Sequence, residues 1–311
     1  MDIERLRQLT QISKLYYEEG CSQQEITDQM GISRPQVSRM LNEARETGIV
    51  SITIKDPFAE ETALSEALIK RFGLVNAVVI DTDKSKNFTK RVQISRAAAD
   101  FLLSMLKEDD ILVVSPGTSI YNVALQMAET KRPGNIIVPI SGGLGNSRAG
   151  WQPNNTVFEI AKKLSCKYFL LNAPATVSSE DGRELLMNES SIREVLDIAR
   201  KANVALLGIG EISSNSTIVK SGNVNDEVLD ELINKKACVS FANMFLDETG
   251  NAIELSLINR TIGLDRNEIL RIPMKIAVAY GKEKIEAIKA TLNGNNVNAL
   301  VVDLETAKAL I

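Results

Sequence analysis

The stretch SQQEITDQMGISRPQVSRMLNEARET, residues 22–47, sets how the first part of the chain folds. Ser22 and Glu25 have the spacing of a capping box, in which a serine hydroxyl and a glutamate carboxylate each bond a backbone amide at the start of a helix. Gly31-Ile32-Ser33 predicts a tight turn, and Pro35 is tolerated after it because the amides of a first helical turn have no intrahelical acceptor. The stretch therefore predicts two short helices joined by a three-residue turn.

Two short helices joined by such a turn form a helix-turn-helix, whose second helix lies in the major groove of DNA. Apolar residues at helical spacing predict the buried face of that second helix: Val37, Met40, Leu41 and Ala44. The predicted DNA-contacting residues lie at its start and on its other faces: Ser33, Arg34, Gln36, Ser38, Arg39 and Asn42. Arginine can pair with guanine and glutamine with adenine, while a serine at a helix N-terminus can hold a phosphate. Double-stranded operator DNA is therefore the predicted partner of this helix.

A further helix is predicted before this pair and a short strand after it. The helix runs from Ile3 to Glu18 and carries one apolar stripe that is expected to be buried: Ile3, Leu6, Leu9, Ile12, Leu15 and Tyr16. Residues 49–54 alternate between apolar and polar side chains, as a strand does, which is consistent with a small wing. Residues 1–56 are accordingly predicted to form a winged helix-turn-helix DNA-binding domain, all-α apart from the wing.

The charge of the chain supports DNA binding only locally. The 36 Lys and Arg residues and the 40 Asp and Glu residues leave a net charge of −4, and residues 1–55 hold seven basic and eight acidic side chains. Within residues 33–45, however, three arginines stand against Glu43 alone. The local excess favours DNA binding over a purely structural three-helix module. Because operators are read as paired half-sites, a homo-oligomer, either a dimer or a tetramer, is expected.

Composition excludes several classes of protein. Histidine is absent, which removes the commonest general base and every His-ligated metal site, so no cofactor or metal is expected. Three scattered cysteines are too few for a disulfide framework. The start MDIERLRQLT is charged where a signal peptide is apolar, and no run reaches the ~18 apolar residues of a membrane span. A cytoplasmic protein without a membrane partner is expected.

The remainder of the chain, residues 57–311, alternates between helical stretches and short apolar runs that are typical of buried parallel strands. The predicted strands are 77–80, 111–114, 136–139, 168–171, 204–207, 276–279 and 299–302. This pattern predicts an α/β effector-binding and oligomerisation domain, built as an open, doubly wound, Rossmann-like sheet with helices on both faces.

Small polar residues follow several of these strands, at the edge where ligands bind in such sheets. The loops concerned are 115–119, 141–146, 172–175 and 208–211, and Lys282 and Lys284 open another helix. Glycine and serine also serve simply to turn the chain, and neither glycine loop is a phosphate-binding or dinucleotide fingerprint. Their repetition at successive strand ends nevertheless favours a polar pocket for a small phosphorylated ligand.

Eight segments carry a resemblance to a known family. They are KLYYEEGCSQQEITDQMGISRPQVSRMLNEARETGIVSI at 14–52, RFGLVNAVVI at 71–80, SPGTSIYNV at 115–123, VPISGGLG at 138–145, NAPA at 172–175, GIG at 208–210, RIPMKIAVAYGKEKIEAI at 271–288 and NVNALVVDLETAKALI at 296–311. Through them, and over nearly its whole length, the chain resembles the SorC family of sugar-responsive bacterial transcriptional regulators. The resemblance implies a winged DNA-binding domain, an effector domain similar in fold to sugar-phosphate isomerases and deaminases, assembly as dimers and tetramers, and sugar phosphates as inducers.

The resemblance also implies which residues contact the effector: Gly117, Thr118, Ser119, Ser141, Gly142, Gly143, Gln152 and Lys284. Two departures from the family pattern concern the same site. Val239-Ser240 stands where the family has a Gly-Asp pair ahead of the segment that is Phe245-Leu246-Asp247 here, so a sugar-hydroxyl acceptor is missing. Tyr280-Gly281 replaces a Gly-Gly pair before the lysine and is expected to place a phenol near the site.

An enzyme, namely a sugar-phosphate isomerase or deaminase, is the alternative function. Without histidine its proton relay would depend on a lysine Schiff base or on carboxylates such as Glu211, Asp247 or Asp303, and no spacing commits a pair of them. The combination of a helix-turn-helix with a phosphate pocket favours a transcriptional regulator whose operator affinity or activity is controlled by a small phosphorylated sugar or related metabolite.

Overall fold

The computed structural model describes residues 2–83, 89–145, 150–213, 216–220 and 224–311. The chain forms two compact units, an N-terminal unit of residues 1–57 and a C-terminal unit of residues 58–311. Across the described ranges, no helix has both the length and the apolar composition needed to cross a membrane.

The N-terminal unit consists of three helices around a small core. They are α1 (Ile3–Tyr17), α2 (Gln23–Met30) and α3 (Arg34–Glu46). The core residues are Leu9, Ile12, Ile26, Val37, Met40, Leu41 and Ala44. The predicted stripe of α1 is only partly buried, since Ile3 is 71% exposed and Leu6 is 43% exposed. The buried residues of α1 are Leu9, Ile12 and Ser13 in its middle turns, so its first turn lies outside the core.

The predicted wing is wrong. Residues 49–56 contain no strand, and Ile52 and Ile54 are exposed. A strand needs a neighbour to bond its amides and carbonyls, and residues 2–57 contain no second strand that could provide one. The amide of Val50 instead donates to the carbonyl of Ala44 at the end of α3, at 2.9 Å.

The C-terminal unit alternates helices and strands, as predicted. Its helices are α4 (Ala59–Phe72), α5 (Lys90–Met105), α6 (Thr118–Gln126), α7 (Pro153–Leu164), α8 (Glu180–Asn188), α9 (Ser190–Ala199), α10 (Thr217–Lys220), α11 (Asp226–Asn234), α12 (Arg266–Leu270), α13 (Ile285–Asn293) and α14 (Leu304–Leu310), with 3-10 turns at Ile258–Arg260 and Lys282–Lys284. Its strands are β1 (Asn76–Ile80), β2 (Ile111–Val114), β3 (Ile136–Pro139), β4 (Lys167–Tyr168), β5 (Val204–Glu211), β6 (Val239–Phe241), β7 (Met244–Leu246), β8 (Met274–Val278) and β9 (Ala299–Asp303).

Seven of these strands form a parallel sheet in the order β1-β9-β8-β5-β2-β3-β4. Successive side chains of a strand point to opposite faces, so the sheet carries a hydrophobic cluster on each side. Val113 belongs to one cluster, with residues of α4, α9 and α13, while Leu112 belongs to the other, with residues of α5, α6 and α7. The predicted α/β domain with a parallel sheet is confirmed.

Two details of the sheet differ from the prediction. Of the predicted run 168–171 only Tyr168 lies in a strand, the two-residue edge strand β4 (Lys167–Tyr168), which pairs with β3 at two positions. In addition, β5 continues to Glu211, because its last three residues pair with the antiparallel strand β6, which in turn pairs with β7. This small hairpin, which was not predicted, lies at the edge of the sheet where a ligand was expected.

Candidate functional site

The helix pair of the N-terminal unit has the local structure that its sequence predicts. The amide of Glu25 donates to the hydroxyl of Ser22 at 3.3 Å, and the amide of Ser22 donates to the carboxylate of Glu25 at 2.8 Å. These bonds complete the predicted capping box, and the bonding of the Glu25 carboxylate by Ser22 holds its pKa below the ordinary value. Gly31 ends α2 with φ of +65°, a left-handed conformation that glycine adopts at little cost. The capped start of α2 and the turn at Gly31 therefore form the helix-turn-helix that the sequence predicts, with α3 as its second helix.

The outer face of α3 carries the predicted DNA-contacting residues. The predicted inward stripe is buried without exception: Val37, Met40, Leu41 and Ala44. Five of the six predicted contact residues are exposed, namely Ser33, Arg34, Gln36, Arg39 and Asn42, and Ser38 is half-buried. The structure thus brings the six predicted residues together at the start and on the accessible faces of one helix.

Several of these side chains already bond one another. The side-chain oxygen of Gln36 accepts from the amide and from the hydroxyl of Ser33, both at 2.8 Å. The side-chain oxygen of Asn42 accepts from the guanidinium of Arg45. Because these two oxygens already accept bonds, the NH₂ groups of Gln36 and Asn42 remain as donors for a ligand.

The acidic residue of this helix face is paired from outside the helix. Arg5 of α1 donates to both carboxylate oxygens of Glu43, with its Nε at 3.2 Å from Oε1. This bond lowers the pKa of Glu43 and raises that of Arg5. With Glu43 balanced, the three arginines Arg34, Arg39 and Arg45 outnumber the one other acidic residue of α3, Glu46.

In the C-terminal unit, a cavity opens beyond the carboxyl ends of β2 and β5, and we name it the first cavity. Neighbouring parallel strands end at the same edge of a sheet, which is why the loop after β2, the end of β5 and the β6–β7 hairpin meet there. Four residues of the predicted effector site line it: Gly117, Thr118, Ser119 and Lys284.

The N-terminus of α6 faces the first cavity with backbone amides and hydroxyls. Gly117 precedes the helix with φ of +130°, and no atom lies within 4 Å of the position where a Cβ would be. The amides of the first helical turn have no intrahelical acceptor, and the helix dipole makes this end positive. Thr118 and Ser119 add hydroxyl groups at the same place. Such an end binds phosphate or another anion.

Lys284 adds a positive charge to the same cavity. It ends the 3-10 turn before α13 and is half-buried. Burial lowers the pKa of its ammonium group, and the carboxylates of Glu283 and Glu211 act in the opposite direction. Within the described part of the chain its ammonium group has no hydrogen bond or ion pair. The charge is therefore available to an anionic ligand.

The other four predicted effector residues do not line this cavity. Gly143 and Gln152 line a second cavity, which shares Ala175, Thr176 and Leu257 with the first. Ser141 and Gly142 are buried and line neither cavity, and Asn146 of the same loop lies outside the described residues.

Backbone and side-chain bonds explain the shape of this loop. A Cβ at Gly142 would lie 2.5 Å from the carbonyl oxygens of Ala173 and Pro174, so only glycine fits there. The side chain of Gln152 holds Leu144 by two bonds, accepting from its amide at 2.8 Å and donating to its carbonyl at 2.6 Å. Since Leu144 lines the first cavity, Gln152 contributes to that cavity by fixing its wall.

Several lining residues were not predicted. Thr176, Ser216, Asn243 and Phe245 come from three separate places in the chain, the last two from the β6–β7 hairpin, and no local motif joins them. Ser240, noted above as a departure from the family pattern, also lines the first cavity. Tyr280, the other departure, packs against the hydrophobic cluster on the α5 side of the sheet and does not line the cavity, and burial raises its pKa.

The carboxylates considered for an enzymatic relay are scattered. Glu211 lines the first cavity, but Asp247 accepts bonds from Thr249 and Asn251 within an exposed turn. Asp303 is buried, caps α14 and pairs with Lys90 at 2.9 Å. The structure therefore does not assemble a pair of these carboxylates in the cavity.

Known proteins resemble the chain along its whole length. Residues 56–311 match the family described as "Putative sugar-binding domain". The deoxyribonucleoside regulator of Bacillus subtilis is 30% identical over 311 residues, which is 100% of this chain and 99% of that protein. The transcriptional regulator LsrR of Escherichia coli K12 is 30% identical over 308 residues, covering 98% and 94% of the two chains. The crystal structure of the full-length sorbitol operon regulator SorC from Klebsiella pneumoniae superposes with a TM-score of 0.75 at 26% identity, covering 100% and 99%.

Proposed function

The chain belongs to the SorC family of sugar-binding transcriptional regulators, and from that premise we propose how its two units divide the function. It is a DNA-binding regulator controlled by a sugar-like effector. The finer proposal is that the effector is phosphorylated and that the first cavity holds its phosphate.

The observation that carries this proposal is the meeting of the α6 N-terminus with Lys284 in one cavity. Open amides and an ammonium group without an ion pair together favour a dianionic group over a neutral sugar. The proposed effector contacts are Gly117, Thr118, Ser119 and Lys284 directly, with Ser141, Gly142, Gly143 and Gln152 shaping the adjoining loop.

We propose that α3 enters the major groove of operator DNA. Arg34 and Arg39 are the proposed contacts to bases or phosphates, with Ser33, Gln36, Ser38 and Asn42 around them. A single helix of this kind binds weakly, and half-sites lie about one helical turn, ~34–36 Å, apart, which supports a homo-oligomer as the working form.

We propose that the C-terminal unit is Rossmann-like and related in fold to sugar-phosphate isomerases and deaminases; its parallel sheet with helices on both faces supports the first part of this proposal. We propose that it acts as a sensor and not as an enzyme. The names of the relatives, which are regulators, and the scattered carboxylates both favour this role.

Operator binding by the full-length protein, with and without sugar phosphates, tests the proposal. The effector is expected to change affinity for the protein's own promoter region by about 5-fold to 150-fold, which corresponds to a coupling of ~1–3 kcal/mol. Lys284→Met is the control variant and is expected to bind the promoter but to lose the response. Identical affinities with every compound of a broad panel would refute control by a phosphorylated sugar.

A further inference from the structure

The turn that carries Lys284 is bonded to a buried carboxylate outside the first cavity. The turn begins at Gly281, whose carbonyl accepts from the amide of Lys284 at 3.0 Å. The amide of Gly281 donates to the hydroxyl of Thr306 at 3.1 Å and to the carboxylate of Asp303 at 3.3 Å. Gly281 therefore connects the end of β9 and the start of α14 to Lys284 through its own amide and carbonyl.

Gly281 needs these bonds to keep its conformation. Its φ is +104°, in the left-handed region that glycine adopts at little cost. A Cβ at this position would collide with the carboxylate of Glu283, so only glycine fits. Glycine can also adopt many other conformations, and the bonds to its amide and carbonyl therefore select this one.

Asp303 makes more bonds than the cap of α14 requires. It is buried at the end of β9, and its Oδ1 accepts from the amide of Thr306 at 3.1 Å, which is the bond of a helix cap. Lys90 Nζ lies 2.9 Å from the same oxygen, while Oδ2 accepts from the hydroxyl of Thr306 at 2.7 Å and from the amide of Gly281. Burial raises the pKa of this carboxylate, but the bonds from Thr306 and Lys90 outweigh burial and hold the pKa of Asp303 below its ordinary value.

The bond to Gly281 distinguishes Asp303 from an ordinary capping residue. Asparagine and serine cap helices as well as aspartate does, because a cap needs one oxygen acceptor. Neither of them has the second carboxylate oxygen that accepts from Gly281 here. Lysine has a long, flexible side chain, and a bond from its ammonium group to a ligand costs less entropy when the backbone that carries it is already fixed.

We propose that Asp303, together with Thr306, is a positioning residue for Lys284. Neither residue lines the first or the second cavity, so neither contacts the effector. They act by holding the turn 281–284, so that the ammonium group of Lys284 is in place before the effector arrives. Lys90 balances the charge of Asp303. This inference rests on the proposed function, in which Lys284 binds the effector phosphate.

A double-mutant cycle on the full-length protein tests this role. The probe is the sugar phosphate that binds most tightly in a calorimetric panel that includes ribose 5-phosphate, glucose 6-phosphate and fructose 6-phosphate. Asp303→Asn keeps one oxygen for the cap of α14 and replaces the other by an NH₂ group, so the probe is expected to bind about 5-fold to 10-fold more weakly, the effect of one hydrogen bond. In the Lys284→Met background the same substitution should change affinity by less than about two-fold, because the group that it positions is gone.

Asp265→Asn is the matched control. Asp265 caps α12 by the same kind of bond, accepting from the amide of Glu268 at 2.8 Å, and lines neither cavity. Its substitution is expected to leave the affinity for the probe within about two-fold, since asparagine preserves the cap.

Thr306 gives an independent pair of variants, which decides the question even if Asp303→Asn does not fold. Thr306→Val keeps the shape of the side chain but removes the hydroxyl that accepts from Gly281, and the probe is expected to bind about 3-fold to 10-fold more weakly. Thr306→Ser keeps that hydroxyl and should restore the affinity to within about two-fold.

Failure of the positioning role differs from failure of the proposed function. The positioning role is refuted if Asp303→Asn has no effect, if it weakens binding equally with and without Lys284, or if Thr306→Val and Thr306→Ser behave alike. If the unaltered protein binds no sugar phosphate of the panel, or if Lys284→Met binds the probe as tightly as the unaltered protein, the proposed function itself is overturned, and the positioning role with it.

Discussion

On the outer face of α3 the polar side chains are exposed and several bond one another, whereas in the first cavity they are enclosed and several have no partner. Gln36 accepts from Ser33, and Asn42 accepts from Arg45. In the wall of the cavity, by contrast, the hydroxyl of Ser216 has no bond, and the ammonium group of Lys284 has no ion pair within the described chain.

The difference shows how each surface can recognise its ligand. Exposed arginines stay hydrated and screened by salt, so the α3 surface gains affinity from many phosphate contacts and loses it as ionic strength rises. Enclosed groups have already lost their water, so each bond to a ligand counts more and depends little on salt. Large single-residue effects are therefore expected in the cavity and smaller, salt-dependent effects on α3.

The largest effect is expected at Lys284. Lys284→Met keeps most of the side-chain volume but removes a charge that a phosphate would bond, and hydrogen bonds to charged groups contribute ~1.5–3 kcal/mol. Affinity for a sugar phosphate should fall about 10-fold to 150-fold in calorimetric titration. Lys282→Met is the control, because Lys282 is exposed and does not line the cavity. Equal losses of sugar-phosphate affinity in the two variants would contradict the expectation that the enclosed lysine contributes more to binding than the exposed one.

The pH dependence of ligand binding tests the same difference between the lysine in the first cavity and the arginines of α3. Burial lowers the pKa of Lys284, so the ammonium group is lost at a lower pH than in an ordinary lysine. Sugar-phosphate affinity is therefore expected to fall as the pH rises through that lowered pKa, at a lower pH than an ordinary lysine would give. A bound phosphate raises the pKa of the lysine, so binding in this window takes up protons, which titrations in buffers of different ionisation enthalpy detect. DNA binding through arginines should not change over the same range. A flat affinity profile up to pH 10.5 would place Lys284 outside the phosphate contacts.

The same difference between the face of α3 and the first cavity explains which features could be predicted from the sequence. The face of α3 follows from helical periodicity, since the residues that point outward are set by their spacing from Val37 and Met40. The phosphate-binding end of the first cavity could be predicted from where the strands end. A helix that begins directly after a buried parallel strand places its first backbone amides at the carboxyl edge of the sheet. Both features depend on residues close together in the chain.

The other wall of the cavity depends on residues that are far apart. The β6–β7 hairpin has strands of three residues, too short to show alternation. Its two-residue turn is Ala242-Asn243, with φ of +45° and +64°, where glycine or asparagine would be the usual signal at both positions. Ser216 carries no motif at all. Its burial in the cavity wall comes from contacts that only the folded chain provides.

A moderate effect on DNA binding is expected from substitution of Arg39, which lies on the exposed face of α3. Arg39→Ala should weaken binding to the operator by ~1–3 kcal/mol if the guanidinium contacts a base, with little loss on random DNA. Arg45→Ala is the matched control, since Arg45 bonds Asn42 near the end of α3 and is expected to weaken all sequences alike and to lower the salt slope. Measurements at several salt concentrations separate the two cases. Equal losses on operator and random DNA for Arg39→Ala would make it a phosphate contact only.

The smallest effect is expected from the helix caps, and it separates the fold of the α3 surface from its function. Ser22→Ala removes one half of the capping box of α2 and should destabilise that helix by about 1 kcal/mol. Peptides covering α2 are then expected to exchange amide hydrogens roughly five times faster, while operator affinity at low temperature stays unchanged. Ser33→Ala should behave the other way round. The bond from the amide of residue 33 to Gln36 survives the substitution, so α3 loses less stability, but a hydroxyl proposed to contact DNA is gone and operator affinity falls. If both variants changed stability and DNA affinity in the same proportion, the exposed face of α3 would be acting through its stability and not through its contacts.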